Sequence, residues 1–337
     1  MAANYTWRLK LEAALRFPVL RLVGYPTLVN LEVTRRCNAR CDFCRYWTTR
    51  RETRLDDYGP VVRKLKPAIV MVTGGEALLR RDLETIVASL RRACPSIYIG
   101  LVTNGWLLTV ERGLSLWQAG LNQLTVSLDF LDERHDSARG LPGLTKRILT
   151  VVPALVARGI DNIVLQTMIR ADNLESVPDV IAWASAHHVK VSLSAYTSAK
   201  NGNVSHRVPP EREAALRRLV DDLLALKEGR SPIVSSSWYL RRLPEYFQCG
   251  GIAGCPSGRK FLTVSPAGEI QRCSEMPVEC HYTAWTPRRF ARTTCSACWV
   301  SCRGESQAPL DWQRVRQAAA LYHRRPSLAC SQNATAH

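Results

Sequence analysis

The chain of 337 residues has no apolar run approaching the roughly 18 to 20 residues of a membrane-spanning helix. It also has no secretory signal near its start, because Arg8, Lys10, Glu12, Arg16 and Arg21 interrupt every apolar stretch there. Internal repeats and low-complexity tracts are absent, which excludes a solenoid or a disordered linker protein. Lysine is scarce, at 8 against 38 arginines, and 29 acidic residues leave a formal net charge of +17. The arginines come as scattered pairs, such as Arg35-Arg36, Arg80-Arg81 and Arg241-Arg242, without one basic tract. The charge therefore reads as solvated basic faces or as an anionic partner, and nucleic acid is not the expected one. A cytoplasmic protein with no membrane partner is expected.

Cysteine is what the chain has in excess. All of its twelve cysteines except Cys94 and Cys330 fall in two regions, Cys37 to Cys44 and Cys249 to Cys302. A chain of this length buries a core without disulfides, so clustering in a reducing compartment points to metal sites or reactive thiols.

Between the cysteine regions, strand and helix signals alternate. Residues 1 to 28 read as an amphipathic helical lead-in ending at Tyr25-Pro26, a candidate cap or lid. Strands are expected at 27–33, 68–72, 97–102, 123–128, 162–169 and 189–193, with helices at 53–65, 81–93, 109–118, 144–158, 173–187 and 210–228. Six such repeats imply an α/β fold with a parallel sheet, open or curled into part of a barrel, whose sites gather at the C-terminal ends of the strands. From about 232 the pattern changes to short segments rich in Cys, Gly and Pro. The expected division is a lead-in at 1–28, a barrel at 29–230, a Cys-rich region at 231–325 and a tail at 326–337.

Cys37-x3-Cys41-x2-Cys44 supplies three thiols in the loop after the first strand. Three thiolates can hold three irons of a [4Fe–4S] cluster and leave the fourth iron open. A zinc site is the alternative, but structural zinc is closed by four ligands and no fourth lies close in sequence. The spacing C-x3-C-x-aromatic-C, with Phe43 at the aromatic position, resembles the signature of the radical S-adenosylmethionine superfamily. The resemblance implies a partial (β/α)6 barrel that binds S-adenosylmethionine on the open iron and cleaves it to methionine and a 5′-deoxyadenosyl radical. It extends to later strand ends. Gly74, Gly75 and Glu76 look like the family's Gly-Gly-Glu-Pro segment, with Ala77 in place of proline, where backbone and carboxylate hold the methionine ammonium. Asn104 in Thr103-Asn104-Gly105, and Ser127 and Asp129 in Ser127-Leu128-Asp129, resemble segments near the reaction centre and the ribose. Arg139, in the loop His135-Asp136-x-x-Arg139-Gly140, resembles an arginine that meets the methionine carboxylate, and Gln166 is a further polar candidate.

Cys249-x5-Cys255-x12-Gly268-x4-Cys273, followed by Cys295-x2-Cys298-x3-Cys302, resembles the auxiliary-cluster extension called SPASM or its shorter relative Twitch. One cysteine of the second block is missing. One auxiliary [4Fe–4S] cluster is expected on Cys249, Cys255, Cys273 and Cys302. A second would use Cys295 and Cys298 with Cys280 or Cys330, and zinc on the Cys295/Cys298 knuckle is the alternative. Trp299 is expected to cover the cluster, and Arg303 either to offset its charge or, with Glu305, to be solvated. Cys94 reads as a packed thiol.

The resemblance implies an enzyme that abstracts hydrogen from a peptide or small molecule, giving a net oxidation or a crosslink, with flavodoxin or ferredoxin as electron donor. The rival class is a non-enzymatic basic zinc-ribbon protein contacting nucleic acid. It leaves Gly-Gly-Glu at the next strand end without a role.

Overall fold

The computed structural model describes residues 7–229 and 231–309. The tail expected at 326–337, and Cys330 with it, lie outside the described residues. Among the described residues nine strands form one sheet: β1 Leu28–Thr34, β2 Ile69–Gly74, β3 Tyr98–Thr103, β4 Gln123–Ser127, β5 Ile163–Ile169, β6 Lys190–Ala195, β7 Phe261–Val264, β8 Glu269–Gln271 and β9 Val278–His281. Their order is β6-β5-β4-β3-β2-β1-β7-β8-β9, so the sheet does not close on itself. β1 to β6 are parallel and rich in Val, Ile and Leu, as expected for strands covered on both faces. In register, Leu31 faces Val72, Val72 faces Leu101, Leu101 faces Leu124 and Leu124 faces Ile163, and this row is buried.

Helices cross between the strands at Gly59–Leu65, Leu83–Ala93, Val110–Gln118, Leu144–Ala157 and Val177–Ala186, and Glu213–Glu228 follows β6. The architecture is the expected partial (β/α)6 barrel. Two helices begin later than the expected 53 and 173 because proline sets their first turn: Pro60 and Pro178 occupy positions where a missing N–H costs nothing. The stretch expected as a loop at His135-Asp136 is instead a short helix, Glu133–Arg139. The Asp132 side chain caps its start by accepting the Arg134 N–H, and Gly140 ends it at φ +61°.

The N-terminal helix is Trp7–Val23, with Pro18 inside it. Leu15, Val19 and Leu22 are 65%, 54% and 75% exposed, while Leu20 packs inward. Arg16 fastens the helix by donating to the Lys66 carbonyl at 2.9 Å and to Cys94 Sγ at 2.7 Å. Both partners precede the strands β2 and β3, so the helix crosses the N-terminal end of the barrel, opposite the strand ends that carry the cysteine loop. Among the described residues no single helix is long and apolar enough to cross a membrane.

The Cys-rich residues return to the same sheet. β7 runs parallel to β1, with Leu31 opposite Val264, and β8 and β9 continue antiparallel from it. Tyr239, Leu243, Phe247, Trp285 and Trp299 join the barrel's buried core. Urea unfolding followed by circular dichroism should therefore show one cooperative transition. Leu262→Ala in β7, a fully buried side chain, should lower stability by about 2–5 kcal/mol throughout. Two separate transitions would mean that the halves fold independently.

Candidate functional site

β1 ends at Thr34, and the turn into Cys37 is held from two sides. Glu52 accepts the Thr34 hydroxyl, and it accepts the Arg35 N–H at 2.6 Å. From β2, the Gly75 and Glu76 N–H groups donate to the Thr34 and Arg36 carbonyls at 2.8 and 2.9 Å. A Cβ on Gly75 would lie 2.6 Å from the Arg35 carbonyl oxygen and would overlap that of Arg36; one on Gly74, at φ +145°, would overlap the Thr34 carbonyl. The two glycines, expected to admit a ligand, here admit the backbone of the cysteine loop.

Within that loop Cys41 is buried and Cys37 and Cys44 are half-buried. The Ala39 N–H points at Cys37 Sγ from 3.4 Å, and the Cys44 N–H donates to the Cys41 carbonyl at 3.2 Å. Burial pushes the Cys37 thiol up to about 12, opposed by the Ala39 N–H and reinforced by Glu76, Cys41 and Cys44. Burial also raises Cys41, against the pull of the Arg139 guanidinium. The three thiols thus share one electrostatic neighbourhood.

Glu76 is fully buried beneath the loop. Its carboxylate accepts the Leu78 N–H at 3.0 Å, the Thr103 hydroxyl at 2.7 Å and the Asn104 N–H at 2.7 Å. Burial holds the carboxyl above its usual range despite these donors and Arg139. Glu76 therefore ties the ends of β2 and β3 together. Asn104 extends the tie by donating its amide to Asn38 Oδ1 at 2.9 Å while accepting the Trp106 N–H.

Asp129 and Arg139 are a buried pair at 2.7 Å. Asp129 also accepts the Met168 N–H at 2.8 Å, which joins β4 to β5. Arg139 reaches His135 Nε2 at 3.2 Å, passes 5.7 Å from the centre of the Phe43 ring, and accepts the Arg40 N–H at its carbonyl. The arginine expected to meet a carboxylate of the cofactor is in this structure the brace between β4 and the cysteine loop. Burial, then Arg139 and Arg170, hold His135 neutral, well below the usual imidazole range. Ser127 and Gln166 face each other across β4 and β5, both half-buried, and Gln166 donates to the Ser192 carbonyl at 3.1 Å.

The C-terminal cysteines separate into two kinds. Burial, then Cys298 and Cys273, push the Cys302 thiol up to about 12. Burial, then Cys298 and Cys255, push Cys273 up to about 11, against a backbone N–H from Glu275. Cys249 is exposed, and Cys280 on β9 has Arg289 and Glu279 as its charged neighbours. Of the expected auxiliary ligands, Cys273 thus has Cys298 and Cys255 as electrostatic neighbours and Cys302 has Cys298 and Cys273, whereas Cys249 is exposed and Cys295 half-buried. Arg303 is fully buried, which overturns its solvated reading. It donates to the Cys298 and Ile252 carbonyls and lies 4.0 Å from Cys298 Sγ. Trp299 is buried and stacked on Tyr239, and Glu305 accepts the Ser236 N–H.

Sequence reasoning missed the polar groups between the two cysteine regions. Lys200 Nζ lies 3.4 Å from Glu275 and 4.6 Å from the centre of the Tyr46 ring, while Tyr46 donates to Glu32. Arg35 bridges Glu32 at 2.8 Å and Gln271 at 2.7 Å. The signal was Glu32 itself, an acid inside an apolar strand.

Both regions suit iron–sulfur clusters. Asn38 Nδ2 and Arg303 Nε are buried donors without a partner, one beside each cysteine group, as an anionic acceptor would require.

Residues 31–184 match the sequence profile of the Radical SAM superfamily. A GTP 3′,8-cyclase of Staphylococcus aureus is 29% identical over 198 residues, covering 52% of this chain and 55% of that protein. The chain thus spans about half the length of the curated relatives it matches. Among solved structures, SuiB of Streptococcus suis bound to its precursor peptide SuiA superposes with a TM-score of 0.62 at 15% identity, over 82% of this chain and 66% of that one. The anSMEcpe protein with bound AdoMet gives 0.62 at 14% identity, over 88% and 96%. At such identities the likeness is one of fold.

Gly75→Ala should lower the iron held by the N-terminal cysteines several-fold after anaerobic reconstitution, because the loop must move off β2; unchanged iron would contradict the close approach. His135 stays neutral when folded but gains a proton when unfolded, so stability should fall as pH drops below about 6.5, by at most about 1.4 kcal/mol per pH unit. Denaturant melts from pH 7.5 to 5.5 should show a steeper fall for the wild type than for His135→Gln.

Proposed function

We propose that this chain, whose residues 31–184 form a radical S-adenosylmethionine domain, is an enzyme that cleaves S-adenosylmethionine reductively and takes a hydrogen atom from a peptide. One observation carries the reading: three thiols in a loop whose backbone is bonded onto Gly75 and Glu76, with Asn38 offering an unpaired donor among them. Cys37, Cys41 and Cys44 would hold a four-iron cluster, which together with S-adenosylmethionine would supply the radical chemistry.

The protein's own part is to fix and shield that chemistry. Glu76 and Arg139 keep the loop at the strand ends, and their buried position excludes water from its underside. Backbone carbonyls at the Gly74–Glu76 edge suit an ammonium group, while the buried Glu76 carboxylate, already bonded to Leu78, Thr103 and Asn104, acts by positioning that edge, and Ser127 and Gln166 suit ribose hydroxyls. Asp129, engaged by Arg139 and Met168, acts by positioning. The reading places the protein in the cytoplasm, where thiols remain free for cluster assembly, with flavodoxin or ferredoxin as reductant.

Support for a peptide substrate comes from the fold shared with peptide-bound SuiB, which extends over 82% of the chain. A net oxidation or crosslink is the expected outcome. A nucleotide substrate is the second reading, favoured by the sequence likeness to GTP 3′,8-cyclase over 52% of the chain.

Reconstituted anaerobically with iron and sulfide, then given dithionite and S-adenosylmethionine, the protein should release 5′-deoxyadenosine and methionine. Changing Cys37, Cys41 and Cys44 together to Ala should abolish release. No release from protein carrying the intact cluster would refute the reading. Conversion of added GTP to a cyclised product would replace the peptide by the nucleotide.

A further inference from the structure

Residues 45–55 leave the cysteine loop directly after Cys44 and, apart from one short turn at Tyr46–Thr48, form neither helix nor strand. Their inward groups are engaged with the ends of three strands. Tyr46 donates to Glu32 of β1, and Glu52 accepts the Thr34 hydroxyl and, at 2.6 Å, the Arg35 N–H. The Leu55 N–H donates to the Pro266 carbonyl beyond β7 at 2.8 Å, and the Leu55 carbonyl accepts Arg80 beyond β2 at 3.3 Å. Arg45 pairs with Glu275 at 3.2 Å. The segment is therefore fastened at both ends and in its middle.

Its outward groups are one indole ring and three guanidiniums. Trp47 is 36% exposed, and Arg50, Arg51 and Arg54 are exposed. None of the three arginines makes an ion pair among the described residues. The acids beside them are occupied: Glu52 as above, Asp57 by the Gly59 N–H and the Ser89 hydroxyl, and Asp82 by Arg80 at 2.6 Å. Asp56, at the far end, is exposed. Neighbouring guanidiniums repel one another, and an anionic partner relieves that repulsion. Tryptophan and arginine are also the side chains over-represented where binding energy concentrates. The main-chain N–H and carbonyl groups of Arg50, Arg51 and Thr53 have no hydrogen-bond partner among the described residues. An extended peptide can satisfy both kinds of group, whereas a phosphodiester chain only accepts and would leave the carbonyls bare.

We infer that Trp47, Arg50, Arg51 and Arg54 form a docking site for an acidic segment of the peptide substrate, laid extended along residues 49–54. The inference rests on the peptide reading above and adds a charge class to it. The arginine forks take carboxylates, the Trp47 ring covers an apolar side chain, and the net charge of +17 draws an acidic chain toward the protein. Because the segment begins where the cysteine loop ends, docking one stretch of a peptide here brings its neighbouring residues to the strand ends that carry the site.

The test uses the full chain, reconstituted anaerobically, and fluorescence anisotropy of a labelled peptide of alternating Glu and Gly, with matched Gln–Gly and Lys–Gly peptides as controls. The acidic peptide should bind at least about tenfold more tightly than either control. Its affinity should fall several-fold from roughly 0.05 to 0.3 M salt. Arg50→Glu, Arg51→Glu and Arg54→Glu together, or Trp47→Ala alone, should weaken binding by about tenfold. Dithionite-driven release of 5′-deoxyadenosine should stay at the wild-type level in both. Should the triple variant misfold, Arg51→Gln alone should weaken binding about threefold. Equal binding of the acidic and Gln–Gly peptides, or acidic binding that these variants leave unchanged, would overturn the site. Tighter binding of GTP or of oligothymidylate than of the acidic peptide, lost in the same variants, would give the patch to a nucleotide and overturn the peptide assignment. Release of 5′-deoxyadenosine by protein that binds no acidic peptide would refute the docking site alone, whereas acidic binding without release would uphold the site and refute the cleavage reading.

Discussion

Two main-chain hydrogen bonds, from Gly75 to Thr34 and from Glu76 to Arg36, carry the rest of the site. Parallel pairing of β1 with β2 runs out at Gly74, and these bonds continue it by another route into the cysteine loop. Backbone can come that close only where no Cβ intervenes, which is why two glycines stand there. The cysteine loop is thus held by β2 as firmly as by its own strand. A loop carrying three thiols is thereby fixed from two sides.

From this junction the constraints spread outward through buried charge. Glu76 gathers donors from β2 and β3; Asp129 gathers Arg139 and β5; Arg139 in turn meets Cys41 and the Phe43 ring. Each carboxylate is satisfied inside the protein, as burial demands. The consequence for function is a floor of fixed polarity beneath the cysteine loop. On the far side, β7 pairs with β1 and brings the Cys-rich residues to the same strand, so Asn30 of β1 is a neighbour of Cys302. One strand therefore links both cysteine regions.

Much of this could be read in the sequence because parallel strands announce themselves as short β-branched runs, and the six core strands fall within two residues of their expected bounds. The three N-terminal thiols were legible from spacing alone. What sequence did not show were long-range pairings of polar groups. Nothing near Arg303 in the chain reveals that Ile252 and Cys298 will share its guanidinium, and nothing near Gly75 reveals which carbonyl it will meet. Nor did spacing show that Cys249 lies exposed at the end of a helix closed by Gly250. The N-terminal helix misled because its apolar residues suggested a packed face, whereas Leu15, Val19 and Leu22 face outward.

The central claim is that the N-terminal cysteines leave one iron open to an amino acid ligand. Electron–nuclear double resonance on the reduced protein, with S-adenosylmethionine labelled by nitrogen-15 at its amino group, addresses that iron directly. A nitrogen-15 coupling to the cluster that disappears in the Cys37, Cys41 and Cys44 variant is the predicted result. A cluster signal that is unaltered by the labelled compound, with the fourth iron already bound by a protein side chain, would contradict the account.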